Sequence, residues 1–192
     1  MSAQTSLLPG LAQVPAGLCY QEDLISQKEE AELAAWIATL PLKPFEFHGY
    51  LGNRRIASFG FRYDYTRAKV EPAPEIPSIL GELREKVARF ARRPAQDFIQ
   101  AMATEYGPGA GIGWHRDKPQ FGEIVGVSLL SAARFRLRRR REDTSWQRVS
   151  QILQPRSAYL LSGAVRQDWE HSIPPREQLR YSITFRTLAG TI

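Results

Sequence analysis

His115, Arg116 and Asp117 stand side by side, and His171 follows later in the chain. On a strand, residues two apart point to the same side, so the His115 imidazole and the Asp117 carboxylate can share one metal ion. His171, just after a strand read at 157–162, could supply a third ligand. Two histidines and one carboxylate on one face of an octahedral ion leave three positions open, a coordination suited to non-haem Fe(II). Taken alone, the pair reads more readily as a surface histidine beside an aspartate than as a metal site.

A second segment narrows the choice. In Arg180-Tyr181-Ser182-Ile183-Thr184-Phe185-Arg186, alternation puts Arg180, Ser182, Thr184 and Arg186 on one face and Tyr181, Ile183 and Phe185 on the other. If the apolar set packs into a core, both arginines face an interior where an unpaired charge is costly and an anion is needed. Six residues of strand span roughly 20 Å, and two arginine arms reaching toward each other leave about 6 Å, room for a five-carbon dicarboxylate. The other arrangement, an outward arginine face balanced by Asp168 or Glu170, leaves the interior face unexplained.

These residues need a frame of strands. Ser26 followed by Glu29 forms a capping box, and Leu33, Trp36, Ile37 and Leu40 recur at helical spacing until Pro41. Residues 44–65 alternate as short strands, with Phe45 and Phe47, then Phe59, Phe61, Tyr63 and Tyr65. Pro72, Pro74 and Pro77 lead into a second helix with Leu80, Leu83, Val87 and Phe90 inward, closed before Pro94. From residue 97 the pattern reads as β to the end, with strands near 98–106, 111–116, 124–131, 133–140, 146–153, 157–162 and 180–187. Gly107-Pro108-Gly109 and Ser162-Gly163 mark turns between them. Many short strands without long helices between them predict a sandwich or jelly roll.

The chain has 192 residues, which suits one domain able to bury its own core. Its one cysteine, Cys19, excludes an internal disulfide framework and a thiolate metal cluster, and reads as a reducing, cytoplasmic setting. Residues 1–20 lack the charged start of a signal peptide, and Pro9, Gly10, Pro15 and Gly17 break their apolar stretch, so they read as a loose tail. No apolar run approaches a membrane span. The 26 basic and 20 acidic residues give +6 and a pI near 9.7, which favours a polyanionic partner. Two clusters carry this charge: Arg134, Arg136 and Arg138–Arg141, and Arg54, Arg55, Arg62, Arg67 and Lys69. Either cluster, taken singly, fits phosphate contact and plain solvation equally. Cys19 and His48 receive no function.

The order HxD, then His, then RxxxxxR resembles the AlkB family of Fe(II)/2-oxoglutarate dioxygenases. The likeness extends to Tyr106-Gly107-Pro108-Gly109-Ala110, Ile112-Gly113-Trp114-His115-Arg116-Asp117-Lys118 and Trp169-Glu170-His171-Ser172-Ile173-Pro174. It covers the C-terminal half strongly and the N-terminal half through the stretch 54–65. The resemblance implies an α+β fold, a double-stranded β-helix (jelly roll) with N-terminal helices and a substrate-recognition lid. It places the lid at 44–70 and the catalytic jelly-roll core at 97–192, within one domain.

The resemblance further implies that His115, Asp117 and His171 ligate Fe(II). Arg180, helped by Tyr106, would hold the far carboxylate of the co-substrate 2-oxoglutarate, with Arg186 near its keto-acid end and Asp117. The expected reaction oxidises an N-alkyl carbon on a base of alkylated DNA or RNA and releases succinate, CO2 and formaldehyde. The alternatives are a dioxygenase of the same fold acting on a protein or small molecule, and a catalytically silent nucleic-acid binder, which intact ligands and both arginines argue against. Arg54 resembles a lid arginine, and Phe61 or Tyr63 could stack on a flipped base or equally fill the core beneath the lid. Two departures stand out: Thr104 replaces a longer asparagine in the 2-oxoglutarate site, and Lys118, Pro119 and Gln120 replace an acidic residue used near the base. The protein is expected to be a monomer without a membrane partner.

Overall fold

Ser26 opens the first helix as the capping box predicts: its hydroxyl accepts from the Glu29 amide at 3.2 Å, and the Glu29 carboxylate accepts from the Ser26 amide at 2.8 Å. A cap of this kind contributes about 1 kcal/mol. The structure is a computed structural model that describes residues 14–190 apart from 48, 49, 65, 66 and 68. Expectations placed on His48, on Tyr65 and on the chain before residue 14 lie outside the described residues, as does that for the Phe47 side chain.

Helix α1 (Gln27–Thr39) buries Leu33 and Ile37, and α2 (Gly81–Ala91) buries Leu83, Val87 and Ala88. Both pack on one face of a seven-stranded sheet. In order across that sheet lie β1 (Leu18–Gln21), β11 (Ala158–Leu161), β8 (Phe121–Leu129), β13 (Arg180–Leu188), β6 (Gln100–Tyr106), β3 (Tyr50–Phe59) and β2 (Lys43–Phe47). A four-stranded sheet, in the order β10 (Trp146–Leu153), β9 (Ala133–Arg140), β12 (Glu170–Ile173), β7 (Ile112–His115), lies against the other face. Strands β4 (Phe61–Asp64) and β5 (Lys69–Pro72) form a separate hairpin. This is the expected jelly roll with helices on its outside.

Two apolar layers hold it. One joins the helices to the large sheet through Ile37, Val87, Val127, Ile183 and Phe185. The other lies between the sheets around Phe135, Leu137, Leu153, Leu161 and Trp169. Phe135 and Leu137 are each 1% exposed, and burying such a side chain contributes about 1.5–3 kcal/mol. Phe135→Ala would therefore cost about 3–5 kcal/mol by opening a cavity.

The structure corrects the sequence reading in three places. The expected loose tail ends before Leu18, because β1 pairs with β11 as an edge strand. Gly17 allows this: at φ +90°, its Cβ position would lie 1.9 Å from the Ser162 carbonyl oxygen, so no side chain fits. The stretch after 97 is not wholly β, since α3 (Gly163–Asp168) interrupts it. His171 lies on a strand of its own, β12, rather than just beyond β11. Among the described residues no helix is long and apolar enough to cross a membrane.

Candidate active site

Strand pairing brings the metal-ligand residues together. His115 ends β7 and faces His171 directly across the antiparallel β7–β12 ladder, with ring centroids 4.2 Å apart. Asp117 follows β7 by two residues, and its Oδ2 lies 3.3 Å from His171 Nε2. The ligand atoms of all three lie within 4.8 Å of one another. His115 Nδ1 sits 2.9 Å from the Gly113 carbonyl, which can only accept, so Nδ1 carries the proton and Nε2 is left for a metal.

The electrostatics suit a cation. Burial first, then the adjacent His171, push the His115 imidazole down to about 4, so it is neutral near pH 7. For Asp117, burial opposes the charge, but Arg186, His171 and His115 outweigh it and hold the carboxyl well below the usual carboxylate range. Arg186 Nη2 donates to Asp117 Oδ1 at 3.0 Å, leaving Oδ2 toward His171.

Beside the triad lies a cavity of about 980 Å³, lined among others by Tyr106, Arg180, Arg186 and Thr104. The alternation of β13 holds: Tyr181, Ile183 and Phe185 enter the helix-side core, while Arg180, Ser182, Thr184 and Arg186 face the cavity. Arg180 is 1% exposed, donates from Nε and Nη2 to Ser128 Oγ at 3.2 and 3.0 Å, and sits over the Tyr106 ring. It has no carboxylate partner among the described residues, and its Nη1 is buried without any partner, as are Arg186 Nε and Thr104 Oγ1. A buried guanidinium in that condition calls for an anion. The residues present therefore fit a dicarboxylate beside a metal.

Three supporting residues escaped the sequence reading. Gln100 donates to the Phe61 carbonyl at 2.8 Å and accepts from Arg186 Nη1 at 3.0 Å. Counting back by twos from Tyr106 and Thr104 along β6 would have found it. Arg166 on α3 donates to the carbonyls of Lys118, Phe121 and Gly122 at 2.6, 2.7 and 3.0 Å, pinning the turn that follows Asp117. Tyr159 lines the cavity and stacks on Phe135, and burial pushes its hydroxyl up. It fits because a Cβ on Gly126 would lie 2.4 Å from its ring.

At the cavity mouth the structure places Arg54, 3.8 Å over the Phe45 ring, and Tyr63, with Lys118 5.1 Å from its ring centroid. Phe61 is not among the lining residues. The basic cluster here is largely self-neutralised: Arg55 pairs with Glu105, Arg62 and Lys69 with Glu71, and Arg67 with Glu71 and Asp64.

A jelly roll holding this triad beside buried arginines defines a class, and the chain belongs to it: the profile of the 2OG-Fe(II) oxygenase superfamily matches residues 18–186. It is an Fe(II)- and 2-oxoglutarate-dependent dioxygenase, with His115, Asp117 and His171 as its metal-binding triad. Within that superfamily its likeness is to AlkB homologues. The mouse (Mus musculus) tRNA (carboxymethyluridine(34)-5-O)-methyltransferase ALKBH8 is 30% identical over 178 residues, 88% of this chain and 26% of that protein. The Arabidopsis thaliana alkylated DNA repair protein ALKBH8 homolog is 26% identical over 198 residues, 88% of this chain and 54% of that protein. The chain thus spans about a quarter to a half of these relatives. The solved structure of OsALKBH1 superposes with a TM-score of 0.65 at 16% identity, covering 91% of this chain and 98% of that one, a likeness of fold.

Proposed function

We propose that the protein removes an alkyl group oxidatively from a base in DNA or RNA. One observation carries this: the same cavity runs from the metal triad and Arg180 to Arg54 and Tyr63, and its 980 Å³ has room for a co-substrate and a flipped base. The names of the AlkB-type relatives, one a repair protein and one acting on tRNA, support a nucleic-acid substrate.

When bound, Fe(II), O2 and 2-oxoglutarate supply the oxidation, in which the co-substrate becomes succinate and CO2 and the N-alkyl carbon gains a hydroxyl. The C–N bond of that product then breaks, formaldehyde leaves, and the ring nitrogen keeps the electron pair and takes a proton. Arg180 and Tyr106 grip the far carboxylate of 2-oxoglutarate, since a charge-assisted, desolvated contact is stronger than a neutral one. Thr104 adds a short hydroxyl there. Arg186 keeps one Asp117 oxygen occupied so that the other faces the metal position. The segment 44–70 acts as the lid, with Tyr63 stacking on the base and Arg54 at its edge.

Mass spectrometry of methylated DNA and RNA oligonucleotides incubated with protein, Fe(II), 2-oxoglutarate and ascorbate tests this. Formaldehyde appearing in step with loss of the methyl mark is expected. All oligonucleotides left unmodified by protein that consumes 2-oxoglutarate would overturn it. Arg54→Ala should weaken oligonucleotide binding without altering 2-oxoglutarate affinity.

A further inference from the structure

The outer face of the four-stranded sheet carries Arg134, Arg136, Arg138 and Arg140 from β9. Register adds β10: Ile152 opposite Arg134, Ser150 opposite Arg136, Arg148 opposite Arg138 and Trp146 opposite Arg140. Strand β12 brings Glu170 and Ser172 opposite Arg138 and Arg136. Trp114, adjacent to His115 on β7, points to this side. Arg134, Arg140, Arg148, Ser150 and Ile152 are exposed.

Three features set this face apart from a merely solvated one. Five arginines share it with one carboxylate, Glu170, which Arg138 already holds at 2.6 Å. Arg138 and Arg148 stand directly opposite each other, a like-charge pair that costs stability in the free protein. The guanidiniums are also held in place: Arg138 lies 4.3 and 4.2 Å from the Trp114 and Trp146 ring centroids, Arg136 lies 4.9 Å from Trp114, and Arg136 donates to Ser172. Fixing rotamers in advance lowers the entropy cost of gripping an anion. Arg134, Arg136, Arg138 and Arg148 line a groove of about 540 Å³ together with Trp114, which also lines the catalytic cavity.

We infer that this arginine-tryptophan face is a binding track for the sugar-phosphate backbone of a nucleic-acid strand. The inference rests on the nucleic-acid reading of the catalytic cavity and extends it to a second surface. Arginines two residues apart along β9 repeat every ~6.7 Å, of the order of the step between successive phosphates along a strand. The tryptophan faces are occupied by guanidiniums, so the track grips phosphates and does not read bases. From the groove, a strand passes Trp114 and reaches the edge of the metal site.

Fluorescence anisotropy with iron-free protein and an unmodified single-stranded oligonucleotide, read across a salt series, tests it apart from turnover. Arg134→Gln with Arg148→Gln removes two cations that have no ion pair among the described residues, and a cooperative unfolding transition at or above the wild-type temperature shows that the variant is folded. Binding should fall about tenfold at low salt, and the log–log salt slope should become shallower by roughly 0.7 per lost phosphate contact. Arg134→Lys with Arg148→Lys should keep the wild-type slope. Wild-type affinity and slope in the glutamine variant would overturn the track while leaving the catalytic reading untouched. Conversely, an arginine-dependent slope in a protein that dealkylates no oligonucleotide would sustain the track and sink the catalytic reading. Phosphatidylserine vesicles bound more tightly than the oligonucleotide, with the same arginine dependence, would overturn it in favour of a membrane surface.

Discussion

Strands β13 and β9 share a pattern, apolar residues alternating with polar ones that include arginines, and have opposite fates. On β13 the apolar side meets the helices and the polar side meets the other sheet, so Arg180 and Arg186 are sealed in. On β9 the apolar side meets the other sheet, and the arginine side stays open to solvent. What an arginine does is set here by which layer covers its strand, and not by the strand. Buried, the charge calls for a partner ligand; exposed, it adds to a field that polyanions feel at a distance.

The largest expected effect lies at the metal end of the covered side. His115→Ala, Asp117→Ala or His171→Ala should abolish succinate formation in a folded protein, because each removes one of three ligands. Succinate at the wild-type rate in any of them would break the assignment. Next, Arg180→Ala should weaken 2-oxoglutarate binding by about 2–3 kcal/mol, roughly thirty- to a hundred-and-fiftyfold, and far more than Arg134→Ala does. Equal affinities in the two, measured by calorimetry, would erase the contrast between the strands.

A sharper version uses stability. Arg180→Met should raise the stability of ligand-free protein, on the order of 1–2 kcal/mol, because it removes an uncompensated buried charge, while the stabilisation by added 2-oxoglutarate disappears. A lower unfolding temperature without ligand would show that Arg180 is compensated in the free protein. The smallest effect concerns the helices that do the covering. Lys86 bonds Glu29 at 2.5 Å across α1 and α2, and this bond first, then the Ser26 amide, lowers the Glu29 carboxyl from 4.5 to about 2. A depressed carboxylate stabilises above its unfolded pKa, so its contribution, on the order of 1 kcal/mol, is lost as pH falls from 4.5 toward 2. Lys86→Met should flatten the stability profile in that window, which acid-series denaturation would record.

The sequence made the metal triad and the two faces of β13 legible, because both rest on a period of two that needs no knowledge of distant chain. It did not tell which elements would cover each face, since that depends on where α1, α2 and the smaller sheet dock. Helix α3 has a single buried apolar residue, Val165, too few to show a period, so Arg166 and its clamp on the turn after Asp117 stayed hidden. The pairing of Arg55 with the distant Glu105, and of Arg62 with Glu71 across the β4–β5 hairpin, follows strand register, which leaves no mark in the residue pattern. That is why the 54–69 cluster looked more available to phosphate than it is, and why Arg148, outside either basic run, went unnoticed beside Arg138.

The hydrogen bonds from the Phe61 carbonyl through Gln100 and Arg186 to Asp117 join the hairpin over the cavity to the metal carboxylate. Gln100 has one amide with which to serve both ends, donating on one side and accepting on the other. If the hairpin lifts, the amide loses a partner and Arg186 loses one of its anchors, so the aim of Asp117 changes with the position of β4. Linkage is reciprocal: whatever the metal site gains from a seated hairpin, the hairpin gains from an occupied metal site. The cavity's roof and floor therefore share one coupling energy, carried by a side chain on neither.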